Sequence, residues 1–203
     1  PGPGFPFAMT LKAIVVAAAA LVAVALSVAA WAAGDAARGR DKAEVCAACH
    51  GPTGNSGTPL TPSLAGQPAT FVEMQLILFR ANVRKVPAMQ EIARPLADAD
   101  IDDIAAFYAA QQPAAEPGPR RGELFRRGSE LSRAMHCGQC HGREYLGGGQ
   151  MPRLAGQRED YLLHAMRDYQ SNARVGFDTS MIGVLYGLAE RDLEALAHYL
   201  AQQ

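Results

Sequence analysis

Net charge is the first thing this sequence lacks: its 203 residues carry a formal −1 at neutral pH. Without a basic excess, nothing argues for nucleic acid as a partner. Period-two alternation is missing too, so no stretch offers a half-buried strand. Thiols are scarce, with four cysteines confined to "CAACHG" (46–51) and "CGQCHG" (137–142). A disulfide framework spread along the chain therefore has nothing to be built from. What is plentiful is apolar helix-forming sequence: 49% hydrophobic against 19% charged. Such a chain can bury one sizeable core or two small ones.

The N-terminus belongs outside the fold. Lys12 precedes an Ala/Val/Leu run from Ala13 to Ala33, and Ala30 and Ala32 flank Trp31 at the A-x-A spacing of a processing site. Residues 1–33 read as an export signal, with Met9 the natural initiator and 1–8 additional to it. The run approaches the ~18 residues that span a bilayer, so retention as a membrane anchor stays open. Either way the body of the protein is expected on the outer face of the cytoplasmic membrane, periplasmic once released.

Export makes disulfides the default for paired thiols, yet both hexapeptides place a histidine directly after C-x-x-C. In C-x-x-C-H each thiol can add to one vinyl group of a haem, and the adjacent imidazole sits beneath the porphyrin to bind iron. Cys46 and Cys49 would tether one c-type haem with His50 as ligand, and Cys137, Cys140 and His141 a second. A structural zinc site would lack a ligand in each cluster unless the two clusters met. A thioredoxin-like thiol pair would need a strand–helix context that is absent.

The sixth iron ligand decides whether such a centre carries electrons or turns over substrate, and an internal repeat points to it. "PSLAGQ" from Pro62 recurs as "PRLAGQ" from Pro152, and "PLADADIDDIAAFYAAQQ" from Pro95 recurs as "GLAERDLEALAHYLAQQ" from Gly187. Offsets of 90 to 92 residues mark two copies of one fold. Each copy holds a methionine in a loop before its last helix: Met89, 39 residues after His50, and Met181, 40 after His141. Met151 is the rival in the second copy, lying ten residues from His141 without a counterpart in the first. His136, His164 and His198 have no histidine partners in the other copy, which points to surface or packing roles. Imidazole below and thioether above leave no open coordination position, which suits electron transfer.

The remainder reads as helices. Asp35–Val45 can run as a helix into Cys46, and "GELFRRGSELSRAMH" into Cys137, with Gly39 the main breaker of the first. After each L-A-G-Q, Phe71, Leu76 and Phe79, or Tyr161, Met166 and Tyr169, keep roughly helical spacing. Ile101, Ile104, Ala105 and Tyr108, or Leu193, Leu196, Ala197 and Leu200, define the apolar face of the last helix in each copy. Prolines and glycines between the copies fit a linker. The expected fold class is all-α, with domains at 34–112 and 122–203 joined by a linker at 113–121. Each is small for a core of its own, and a covalent haem would complete it.

The chain resembles a class I cytochrome c duplicated in tandem, and is most similar to the dihaem cytochrome c4 family. The likeness rests on "CAACHG" with "GNSGTP" after it, the two P-x-L-A-G-Q segments, the paired methionines and the final helices. It implies a few helices wrapped round each haem, His/Met axial ligation by His50 and Met89 and by His141 and Met181, and facing domains with haem propionates near the interface. It further implies that the Pro62 and Pro152 carbonyls bond the outer nitrogens of His50 and His141. The implied function is relay of single electrons from a quinol-oxidising cytochrome complex to a terminal oxidase, by a carrier and not an enzyme. A dihaem subunit of a larger dehydrogenase or oxidase is the alternative, and a dihaem peroxidase would need one iron to open. Arg126, Arg127, Arg143, Arg153, Arg158 and Arg174 offer charge to an acidic redox partner, although the acid interspersed with them equally fits an ordinary solvated face.

Overall fold

The computed structural model describes residues 34–114, 118–174 and 179–203. The expected leader at 1–33 and residues 115–117 of the expected linker lie outside these. Among the described residues the regular structure is all helical, with a lone bridge pairing Gly148 and Met151. Five helices come first: α1 (Ala36–Lys42), α2 (Glu44–His50), α3 (Ala69–Arg80), α4 (Pro87–Ala93) and α5 (Asp98–Ala109). Five more repeat the order: α6 (Gly122–Ala134), α7 (Cys137–His141), α8 (Glu159–Gln170), α9 (Ser180–Leu185) and α10 (Glu190–Ala201).

Each half is organised by the crossing of its first helix over its last. Gly39 in α1 lies so close to α5 that a β-carbon there would fall 1.9 Å from the Asp103 carbonyl oxygen. Gly128 in α6 approaches α10 in the same way, its β-carbon falling 2.1 Å from the Ala195 carbonyl oxygen. Gly39 is therefore a contact point and not a helix breaker, because only the absence of a side chain lets the two backbones meet. The face of α5 predicted to be apolar is the one that is buried, with Ile101, Ile104, Ala105 and Tyr108 inside. So is that of α10, with Leu193, Leu196, Ala197 and Leu200. Burying one such large side chain contributes roughly 1.5–3 kcal/mol.

Two expectations need correction. The helix predicted to run from Asp35 into Cys46 is broken at Ala43, and its counterpart is broken at His136, whose φ is +56°. The first helix is committed to the crossing, so the C-x-x-C-H segment has to start afresh to carry its histidine inward: His50 and His141 are both buried. Met89 and Met181 lie not in loops but in the short helices α4 and α9. Pro87 opens α4, where its missing N–H is no loss and its fixed φ suits a first turn.

Charge pins the first crossing. The Asp103 carboxylate, on the inner side of α5, accepts from Arg38 Nε and Nη2 at 2.9 Å each, from Lys42 Nζ at 2.8 Å and from the Asp35 N–H at 2.7 Å. In the second half this place falls to Ala195, and Arg127 reaches Asp192 instead, at 2.8 Å.

Candidate haem sites and the interface between them

In the first half the thiols of Cys46 and Cys49 stand on α2, unpaired, the former half-buried and the latter exposed. Burial pushes the Cys46 thiol above its ordinary range, and Cys137 is raised for the same reason. His50 closes the helix. Its Nδ1 donates to the Pro62 carbonyl at 2.9 Å, which leaves Nε2 as the lone-pair nitrogen of the ring. His141 does the same with Pro152 at 3.1 Å. Burial holds both imidazoles below the usual histidine range, with the carbonyl contact acting the other way. Met89 packs at the edge of the core made by Val72, Leu76, Ile101, Ile104 and Tyr108. Met181 packs in the same way on the core of Leu162, Met166, Leu185, Leu193 and Leu196. Met151 sits in the tight turn closed by mutual backbone bonds with Gly148, both 3.0 Å.

These donor sets fit a covalent haem. Each offers two unpaired thiols three residues apart, a buried imidazole presenting its Nε2 base, and a soft thioether on the adjoining core. The first half adds a buried hydroxyl, that of Tyr108, which has no oxygen or nitrogen partner among the described residues and faces only the Cys46 thiol. The zinc alternative loses ground, since among the described residues no three of His, Cys, Asp and Glu gather to hold a metal ion.

The two halves solve the space beside the inner cysteine differently. The Gly54 carbonyl accepts from Leu64 and Ala65, and in the second half Tyr145 takes that role for Leu154 and Ala155. A β-carbon on Gly54 would meet the Tyr108 ring at 2.7 Å, so the large ring on α5 requires glycine there. In the second half the ring comes from Tyr145 and the helix supplies Leu200, both in one core cluster. Tyr145 shares a 2.9 Å hydrogen bond with Ser132. The ring comes from the helix over a glycine in the first half and from the loop beside a leucine in the second, an exchange that neither copy discloses alone.

The expected solvated arginines are partly internal. Arg158 donates to the Ser56 carbonyl of the first half at 3.0 Å and to Asp160 Oδ2 at 2.8 Å, while Asp160 accepts the Leu60 N–H at 3.0 Å. Arg174 is buried and donates to the Tyr161 hydroxyl at 3.1 Å, with its guanidinium 4.8 Å from the centre of the Tyr169 ring. Its repeat counterpart Arg84 stacks 4.6 Å from the centre of the Phe79 ring and reaches the same hydroxyl at 3.4 Å. Neither has a carboxylate at ion-pair distance among the described residues, and the two guanidinium groups share one hydroxyl. Their offset of 90 residues was readable, but their convergence on Tyr161 was not.

His198 is settled as packing. It is 1% exposed, takes the Arg121 N–H on Nε2 at 2.9 Å and donates from Nδ1 to Glu159 at 2.8 Å. His136 is exposed, and His164 lies 3.4 Å from Asp168 on the surface of α8.

Residues 125–203 match the family model described as cytochrome c, and residues 34–107 that described as cytochrome c oxidase, cbb3-type, subunit III. Cytochrome c4 of Azotobacter vinelandii is 35% identical over 189 residues, 84% of this chain and 90% of that protein. The crystal structure of reduced recombinant cytochrome c4 from Pseudomonas stutzeri superposes with a TM-score of 0.77 at 33% identity, covering 83% of this chain and 98% of that one. A thiosulfate dehydrogenase electron acceptor from Thiomonas intermedia is 31% identical over 177 residues, 80% of each chain.

Proposed function

The chain belongs to the dihaem cytochrome c4 family, and on that footing we propose that it relays single electrons outside the cytoplasmic membrane, from a quinol-oxidising cytochrome complex to a terminal oxidase. It is a dihaem electron-transfer protein and not an enzyme, with one c-type haem on Cys46 and Cys49 and the other on Cys137 and Cys140. Each haem supplies a one-electron iron couple when bound. The residues around it hold that couple still. We assign His50 and Met89 as axial ligands in the domain at 34–112, and His141 and Met181 in the domain at 122–203, with 113–121 as the linker. The Pro62 and Pro152 carbonyls fix the two imidazole planes.

The observation that carries this reading is the duplicated arrangement itself: a buried imidazole with its outer nitrogen engaged, paired with a methionine on the adjoining core, in both halves. Ligands on both faces mean that an electron can arrive without a change of coordination. Redox partners would dock weakly and briefly, as small interfaces allow. Among the described residues no helix is long and apolar enough to cross a membrane, and residues 1–33 would act as export signal or anchor. A second reading, service as the dihaem electron-transfer subunit of a dehydrogenase or oxidase, draws support from the similarity to a thiosulfate dehydrogenase electron acceptor.

Spectra of the oxidised holoprotein test the ligation. Both centres are expected to show the far-red charge-transfer band of a sulfur-to-iron bond, to refuse cyanide, and to lose the band one at a time in Met89→Ala and Met181→Ala. Bands that persist in both variants would end the proposal. Purification from native membranes separates carrier from subunit, according to whether a catalytic chain co-purifies.

A further inference from the structure

Gln67 and Gln157 end the two P-x-L-A-G-Q segments, and each is almost wholly buried, 3% and 6% exposed. Both side-chain amides reach across to the opposite half, although Gln157 Oε1 also accepts the N–H of its own neighbour Arg158 at 3.0 Å. The Gln157 amide closes on residue 63 of the first half: Oε1 accepts the Ser63 N–H at 2.8 Å and Nε2 donates to the Ser63 carbonyl at 2.8 Å. Gln67 closes on residue 153 of the second half, accepting the Arg153 N–H at 3.0 Å and donating to its carbonyl at 2.9 Å. A peptide N–H can only donate and a peptide C=O only accept, so the orientation of both side-chain amides is fixed.

The Ser63 N–H belongs to the same peptide group as the Pro62 carbonyl, and that carbonyl is the acceptor for His50 Nδ1. In a trans peptide the C=O and N–H point to opposite sides, so one planar unit is gripped at its oxygen by the histidine of the first half and at its hydrogen by the glutamine of the second. The run is His50 Nδ1–H to Pro62 C=O, then through the resonant C–N bond to Ser63 N–H and on to Gln157 Oε1. Its mirror runs from His141 through the Pro152–Arg153 peptide to Gln67. A hydrogen bond accepted from an amide N–H draws charge onto that amide's own oxygen, and chained bonds strengthen one another by roughly 10–30% each. An imidazole donating to a more negative oxygen is a more electron-rich ligand.

We propose that Gln67 and Gln157 are positioning residues that tune the iron ligand of the opposite domain, so that each haem's reduction potential is set in part by the domain that does not carry it. The inference rests on His50 and His141 being axial ligands. By reciprocity, whichever iron state the clasp favours also tightens the clasp, which couples the redox state of each half to the grip between them. The polarisation favours the oxidised, more positive iron, so removing a glutamine shifts the opposite haem toward reduction.

The test is a redox titration of the full dihaem protein followed by NMR, with the shifted haem-methyl signals read separately for each domain. Gln157→Leu is expected to move the equilibrium of the Cys46/Cys49 haem about threefold toward reduced, about 30 mV on a scale where tenfold is 59 mV for one electron. The Cys137/Cys140 haem stays where it was. Gln67→Leu is expected to give the converse. Gln157→Glu keeps the acceptor for the Ser63 N–H, gives up the donor to the Ser63 carbonyl and adds charge, so it should move the first haem further than the second toward oxidised. Small-angle scattering on the same samples establishes that the halves remain together. Shifts on the same-domain haem, equal shifts on both, or none in a closed protein would overturn the inference. Should the unsubstituted protein lack the His/Met spectrum, the ligation reading falls; with that spectrum intact, uncrossed shifts overturn the glutamine relay alone.

Discussion

Arg84 and Arg174 sit 90 residues apart in sequence and meet at one atom, the Tyr161 hydroxyl, which they approach to 3.4 Å and 3.1 Å. Each half holds its arginine in the same way. The backbone N–H of Arg84 bonds the Leu78 carbonyl at 3.1 Å and that of Arg174 the Asp168 carbonyl at 3.0 Å, and each guanidinium lies over the aromatic ring five positions back. The symmetry breaks at the target, because the counterpart of Tyr161 is Phe71, which has no hydroxyl.

Burial alone would raise the Tyr161 pKa, but the charges of Arg174 and then Arg84 outweigh it and bring it down to about 8. An unfolded tyrosine titrates near ~10. Between those values the unfolded chain binds more protons, so stability rises with pH, is complete above about 10 and is lost as pH falls through about 8. The gain is at most about 2–3 kcal/mol. Urea midpoints of the holoprotein measured from pH 7 to 10 are expected to climb, and those of Tyr161→Phe to stay flat across that window.

Asp103 gives the opposite window. Arg38, Lys42 and the Asp35 N–H hold its carboxyl well below the ordinary range. A depressed carboxylate contributes stability that is whole above its unfolded pKa of about 4 and drains away as pH falls further. The Asp103 side chain is only 3% exposed, although Arg38 is 61% exposed and partly screened. Asp103→Asn should therefore cost about 1–3 kcal/mol at neutral pH, and acid unfolding curves of variant and parent should converge at low pH.

The helices and the chemistry are legible in the sequence, but the joint between the two copies is not. The paired motifs, the apolar faces of α5 and α10 and the absence of strands are local, periodic properties, and they survive folding because each helix buries one stripe. The clasp of Gln67 and Gln157 and the convergence of Arg84 and Arg174 depend on the relative placement of two copies, which no offset within one copy encodes. Gly39 shows the same limit: helix propensity marks it as a flaw, and only the crossing with α5 reveals the need for it. The Tyr108/Gly54 and Leu200/Tyr145 exchange is hidden in the sequence because it moves a ring between two segments that meet only in space.

His198 supports a prediction about structure without redox consequence. Its two nitrogens satisfy the Arg121 N–H and the Glu159 carboxylate, tying the entry of α6 and the start of α8 to α10. His198→Leu leaves the Arg121 N–H without its acceptor and the Glu159 carboxylate with the Arg121 guanidinium alone, and should cost about 1–3 kcal/mol. Visible spectra and both potentials should stay unchanged. A shift in either haem's spectrum would place His198 closer to the iron chemistry than its hydrogen bonds do.

The helix crossings set propensity against packing, with opposite signs. In an exposed helix interior, replacing glycine by alanine gains about 1 kcal/mol. At Gly39 and Gly128 the new methyl group would fall 1.9 Å and 2.1 Å from backbone carbonyl oxygens of the facing helix, atoms that cannot rotate away. The helices would have to part, and overpacking of this kind costs about 1–3 kcal/mol or more. Gly39→Ala and Gly128→Ala are therefore expected to lower the urea midpoint of the holoprotein, each through its own half. Gly122→Ala, whose β-carbon would have nothing within 4 Å, serves as the control and should stay within about 0.5 kcal/mol of the parent. If Gly39→Ala proved as harmless as that control, α1 and α5 could not be crossing as closely as described, and the site that depends on their contact, with Cys46 and His50 on the helix following α1, would need rebuilding.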